Sequence, residues 1–179
     1  MPTYTVHQHR HRFASWAASR AAQRSFTSVP NLQRALERCG VVEIVKESSR
    51  WPGSANGFDG LHREWCTGVV ECLEKLEVQN VTFGRAAKLI AVYIKAMVVI
   101  VQPESLFAKV AHPPIDRTLL QRLARDETWP KSYREIWRST AWTDLDEQTY
   151  YELIGTFRQC DLDKPSFWKL ERYWAINDK

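Results

Sequence analysis

Ala86-Ala87-Lys88-Leu89-Ile90-Ala91-Val92-Tyr93-Ile94-Lys95-Ala96-Met97-Val98-Val99-Ile100-Val101 is apolar on every side of a helix except at two lysines. Apolar residues all round mark a helix enclosed in a domain core rather than one lying on a surface. The run is shorter than the ~18 residues of a membrane-spanning helix and carries Lys88 and Lys95, so it reads as the central helix of a soluble, cytoplasmic domain. An ammonium there is costly to desolvate; it finds a partner or sheds its proton, and its pKa falls. Lys88 also lies in the first turns of its helix, close after Gly84, where the positive end of the macrodipole disfavours the charged form further. A neutral lysine amine is a nucleophile. A lysine near a helix start can equally lie half exposed with its stem along apolar surface, and Lys95 sits on the same face of this helix.

Upstream, Leu61, Trp65, Val69, Cys72, Leu73 and Leu76 form one stripe of a long helix reaching Val78, with Asp59 in the position of its cap. The connection from Gln79 to Gly84 is tight and makes the two helices a hairpin. Downstream of Pro103, the prolines of His112-Pro113-Pro114 stop any helix, and Asp116 stands where a cap belongs before Leu119, Leu120 and Leu123.

The remainder also reads as helical. Residues 1–12 hold His7, His9, His11, Arg10 and Arg12 and read as a loose basic arm. A helix from Phe13 to about Ala22 comes next, with Phe13, Trp16, Ala17 and Ala21 on one side and Arg20 and Arg24 reaching outward. Ser28 and Pro30 start a second helix that Gly40 stops. Val41 to Val45 fits a short strand or a helical turn, and the loop from Ser48 to Gly60 breaks the chain. After Glu127, Tyr133 to Trp137 makes a short helix, Thr143 or Asp144 opens another through Phe157, and Asp163 with Pro165 opens a last one through Trp174. The expected architecture is a compact all-α bundle: one domain over 13–179, with 127–179 packed on it as a helical extension. That tail completes the core or closes over a cleft with Trp168, Tyr173 and Trp174.

Composition narrows the classes of function. At 179 residues and 44% hydrophobic, the chain can bury a substantial core, and seven glycines are too few for most all-β folds. A net charge of +4 permits a nucleic-acid partner without implying one. The four cysteines form no CxxC pair, which argues against a disulfide framework or a zinc knuckle, and no metal or other cofactor is expected. Neither GxSxG, an activated-cysteine motif nor a P-loop is present.

Lys88 and Asp116 are the residues expected to carry chemistry. A lysine of lowered pKa can attack an electrophilic carbon such as C1′ of a deoxyribose and hold the opened sugar as a Schiff base. A carboxylate beside it can stabilise positive charge or relay protons, although Asp116 before Arg117-Thr118-Leu119 is equally read as a plain helix cap.

The ordering of a hairpin, Gly84-x-Ala86-x-Lys88, an apolar helix and then Pro-x-Asp116 at a helix start resembles the helix-hairpin-helix DNA glycosylase superfamily, nearest its 8-oxoguanine glycosylase branch. The resemblance extends roughly over residues 13–124. It implies that Lys88 is the nucleophile, that Asp116 is its supporting carboxylate, and that the chain is a DNA glycosylase with associated lyase activity. The implied partner is double-stranded DNA carrying an oxidised or otherwise modified base, met by a monomer. Ala86 stands where the family's hairpin has its second glycine.

Such an enzyme extrudes the base, stacks it and reads its edge. Trp16, Trp129, Trp142 and His112 are candidates for that pocket, although tryptophans at helical spacing also simply pack and a proline-flanked histidine also simply caps. The hairpin around Phe83, Gly84 and Arg85 is expected to meet phosphate through its amides, with Arg20 and Arg117 adding charge. Two other readings are a non-catalytic nucleic-acid-binding module of this fold and a helical protein-interaction component of a bacterial defence system.

Overall fold

Short polar side chains start the helices. In the computed structural model, which describes residues 4–160 and 166–174, Thr5, Ser28, Ser54, Thr82, Ser105, Asp116 and Asp146 each accept a hydrogen bond from the backbone amide three residues on. Each such cap contributes about 1 kcal/mol. The helices they open are α1 (Val6–Gln23), α2 (Val29–Arg38), α4 (Ala55–Glu74), α5 (Phe83–Ile94), α6 (Leu106–Val110), α7 (Arg117–Leu123) and α9 (Glu147–Gln159). Gly40 at φ 93° introduces α3 (Val41–Lys46), and Pro130 precedes α8 (Lys131–Ser139). No strand occurs among the described residues, so the fold is all-α as expected, and none of the described helices is long and apolar enough to cross a membrane.

The apolar run from Ala86 is the centre of the molecule. α5 packs against α1 on one side and α4 on the other, with α2 bridging those two and α9 also reaching α5. Its Leu89, Ile90, Tyr93 and Ile94 are fully enclosed. Beyond Ile94 the helix widens into a π-turn over Lys95–Val99, closed by the Ile100 amide bonding to the Lys95 carbonyl at 3.0 Å. A π-turn rotates the faces of the residues beyond it. Consequently Ile100 and Val101 emerge on the surface, where the sequence pattern had placed them in the core.

Other differences have similarly local causes. Residues 6–12 are not a loose arm but the start of α1, because the Thr5/Gln8 capping box fixes the helix there and His11 bonds to Tyr93 and Glu37. The face of α1 that enters the core carries Ala14, Ala18 and Ala22, while Phe13, Ala17 and Ala21 look elsewhere. Asp59 is not the cap of α4. That role falls to Ser54, and Asp59 lies inside the helix, bonded to the buried His112 and to Arg158. Val41–Val45 is helical, within α3. The helix start expected at Asp163 and Pro165 lies outside the described residues, and Phe167–Tyr173 forms a 3-10 helix.

Candidate active site

Lys88 points from the second turn of α5 to the start of α7. Its Nζ lies 2.8 Å from Asp116 Oδ2, and the residue is 7% exposed. Asp116 serves two purposes at once: Oδ1 caps α7 by accepting the Leu119 amide at 2.9 Å, leaving Oδ2 for the lysine. The prolines before Asp116 fix the approach, since Pro113 and Pro114 cannot extend a helix and the chain enters α7 from extended backbone. Cap and ion-pair partner, alternatives in the sequence, are therefore one residue with two oxygens.

Burial pulls the Lys88 pKa down, the Asp116 carboxylate opposes it, and the balance leaves the ammonium below its ordinary value. Such a group transfers its proton more readily than a solvated lysine does. The Asp116 oxygen is the acceptor within reach.

The pair lines a cleft of about 240 Å³ walled by Phe13 and Ala17 of α1, Val92 of α5, Pro114 and Trp174. The face of α1 that the sequence suggested for packing is thus a cleft wall. Trp174 Nε1 donates to Asp116 Oδ2 at 3.0 Å, and Glu171 pairs with Lys95 at the same cleft. Burial raises the Glu171 pKa, and the hydrogen bond from Lys95 restrains the rise. On the far side of the Lys95–Glu171 pair a second cleft, about 550 Å³, is lined by Val99, Pro103 and Trp168.

The other expected site residues separate into groups. Trp142 joins the pair: its ring centroid is 6.0 Å from Lys88 Nζ, and Arg24 approaches the same ring at 5.8 Å. Trp16 is half exposed on α1 and packs on Phe13 without lining the cleft. Trp129 lies apart, packed on Trp137 and donating to Tyr173. Arg20 is exposed and bonds to Gln23.

His112 belongs to a different structure. Its side chain is wholly enclosed; Nε2 bonds to Asp59 Oδ1 at 3.0 Å and Nδ1 meets the Tyr150 hydroxyl at 3.1 Å. Arg158 clamps the same carboxylate with bonds of 2.7 and 2.8 Å. With both ring nitrogens committed inside the core, His112 cannot read a base.

The hairpin differs from expectation too. The Gly84 amide donates to the Leu145 carbonyl at 2.9 Å and the Arg85 amide to Thr82 Oγ1 at 3.3 Å, so neither is open to a phosphate. Phe83 is buried against Tyr150. Gly84 is required for another reason: a Cβ there would strike the Trp142 carbonyl oxygen. The glycine lets the 142–145 segment lie across the start of α5, which brings Trp142 to Lys88. The Arg85 guanidinium stacks over Phe26, 4.3 Å from its ring.

Sequence reasoning did not assign Glu171, and it named Trp174 only among the tail aromatics that complete the core or close over a cleft. Their one signal was the cluster of aromatic residues at the carboxyl end, which fits core packing equally well. No family model, curated protein or solved structure matches this chain.

Proposed function

We propose that the chain is a DNA glycosylase with lyase activity, acting on double-stranded DNA that carries an oxidised or otherwise modified base. The observation that carries this reading is the enclosed Lys88–Asp116 pair, 2.8 Å apart, facing a small aromatic-walled cleft. Pockets for drug-sized ligands span ~300–1,000 Å³, and a cleft just below that range suits a single ring system.

In the proposed reaction, Asp116 accepts a proton from the Lys88 ammonium. The freed amine bonds to C1′ as the N-glycosidic bond breaks, and the departing base takes up the relayed proton. A proton then moves from the lysine nitrogen to O4′ as the sugar ring opens, leaving a protonated Schiff base at C1′. As that proton passes to the base, the Asp116 carboxylate regains its charge and offsets the positive charge that gathers on the sugar. Phe13 and Trp174 supply the flat surfaces on which an extruded base stacks.

The test is a panel of duplex oligonucleotides, each holding one oxidised, deaminated or alkylated base, read as strand cleavage with and without alkali. The expected result is cleavage at one class of lesion, reduced ~100-fold or more in Asp116→Asn, since general acid–base groups typically contribute 10²–10⁴-fold. Intact strands across the whole panel would remove the glycosylase reading.

A further inference from the structure

A second groove, about 280 Å³, lies behind Trp142 and is lined by Arg24, Arg117 and Arg138 together with Ser139, Thr140 and Thr143. None of its lining residues is a carboxylate. Among the described residues Arg24 and Arg117 form no ion pair, and Arg138 uses one Nη2–H to hold the Ala124 carbonyl at 3.1 Å, its other donors remaining. Two acids adjoin lining residues along the chain, Asp116 and Asp144; the Asp116 carboxylate is engaged by Lys88, the Leu119 amide and Trp174, and Asp144 Oδ1 accepts the Thr143 hydroxyl at 2.9 Å.

Three arginines line one groove that has no carboxylate among its lining residues, and like charges gathered in this way favour an anion between them. Its arginines are held in place by different means. Arg24 and Ser25 both adopt left-handed backbone, φ 39° and 64°, which turns the end of α1 so that Arg24 reaches the Trp142 ring. Such strain in non-glycine residues costs on the order of 1–3 kcal/mol each and persists where the surroundings impose it. Arg117 comes directly after Asp116 and is exposed, while Arg138 comes from α8.

The groove adjoins the candidate active site through two shared features. Trp142 has Lys88 near its ring and Arg24 near the same ring, and the backbone step from Asp116 to Arg117 leads from one site into the other. A planar guanidinium matches phosphate bidentately, and adjacent hydroxyls add donors.

We propose that the Arg24–Arg117–Arg138 groove is a phosphodiester-binding subsite that grips the backbone of the strand whose modified nucleotide enters the Lys88–Asp116 cleft. The inference rests on the glycosylase reading for its choice of nucleic acid as the source of the phosphate. It also replaces the α5 hairpin, whose amides are spent on Leu145 and Thr82, as the place where backbone is held.

The test is fluorescence anisotropy of an undamaged labelled duplex across a salt series, comparing wild type, Arg24→Gln/Arg138→Gln, and Arg50→Gln as an exposed arginine outside the groove. Each lost phosphate contact makes the slope of log K against log[salt] shallower by ~0.9, so the double variant is expected to lose about 1.8, with Arg50→Gln unchanged. Thermal melting of the double variant checks that it folds; should it not, Arg117→Gln alone is expected to lose ~0.9. An unchanged slope in the folded variant overturns the groove even if base excision is observed. A reduced slope with no excision on any lesion sustains the groove and removes the glycosylase instead.

Discussion

Lys88 and Asp116 differ in what each leaves behind when removed. Replacing Lys88 with Met leaves Asp116 still hydrogen-bonded by the Leu119 amide and the Trp174 indole. Replacing Asp116 with Asn keeps a good helix cap but strands an enclosed ammonium. Chemical denaturation is therefore expected to show Lys88→Met within about 1 kcal/mol of wild type and Asp116→Asn destabilised by about 3 kcal/mol. Equal losses in the two variants would mean that the pair is not organised around the lysine's burial. At this scale the sequence was unusually legible, because a charged residue in a wholly apolar helix and an aspartate behind two prolines are each conspicuous without a structure. What the sequence could not decide was whether Asp116 caps or pairs; two carboxylate oxygens with different neighbours make that a false choice.

Among the elements, α5 is positioned by what crosses its start. Gly84→Ala puts a methyl group into the Trp142 carbonyl, which is backbone and cannot swing aside, so the 142–145 segment must move. A loss of at least about 1–3 kcal/mol is expected, together with weaker activity as Trp142 withdraws from Lys88. Gly155→Ala, inside α9 with nothing within 4 Å of the new methyl, is expected instead to stabilise by about 0.5–1 kcal/mol. Thermal unfolding of the two variants checks both signs. Helix starts were legible because caps are local; Ser28 and Asp116 needed only their own neighbours. The α1 face, the π-turn after Ile94 and the true start of α4 were not, since alanine-rich and uniformly apolar stretches carry no period strong enough to fix a direction, and Asp59, a favoured cap residue next to the apolar stripe, masks the cap five residues earlier at Ser54.

Across the whole molecule, a polar network buried at Asp59, His112 and Tyr150 and closed at the surface by Arg158 ties α4 to the segment before α7 and to α9. Burial alone would raise the Asp59 pKa, but the hydrogen bonds from Arg158 and His112 outweigh it and hold the carboxyl well below the usual range. Burial lowers His112 to about 4, against the pull of Asp59. Both groups bind protons more readily when unfolded, so stability is full above pH ~6.5, declines as His112 would charge, and declines further below pH ~3.9 as Asp59 would protonate. Melting curves from pH 7 to 3.5 are expected to fall steadily, and His112→Gln to flatten the upper part of that fall. A melting temperature that rises toward pH 5 would contradict the network's protonation states. None of this was legible in the sequence: Asp59 and Arg158 are 99 residues apart, Asp59 and His112 are 53 apart, and nothing in either neighbourhood announces the other. The same distance hid Glu171 and left Trp174 undecided between core and cleft; both reach the cleft because the tail returns across α7 and the π-turn.

The claim on which the account turns is that Lys88 is a nucleophile toward a sugar carbon. The most direct measurement is borohydride trapping on duplex DNA holding an abasic site or 8-oxoguanine, with the adduct mapped by peptide mass and compared with Lys88→Gln. A covalent complex mapped to Lys88 and absent from the variant is the predicted result. No adduct on either substrate, or one that persists at full yield in the variant, would contradict it.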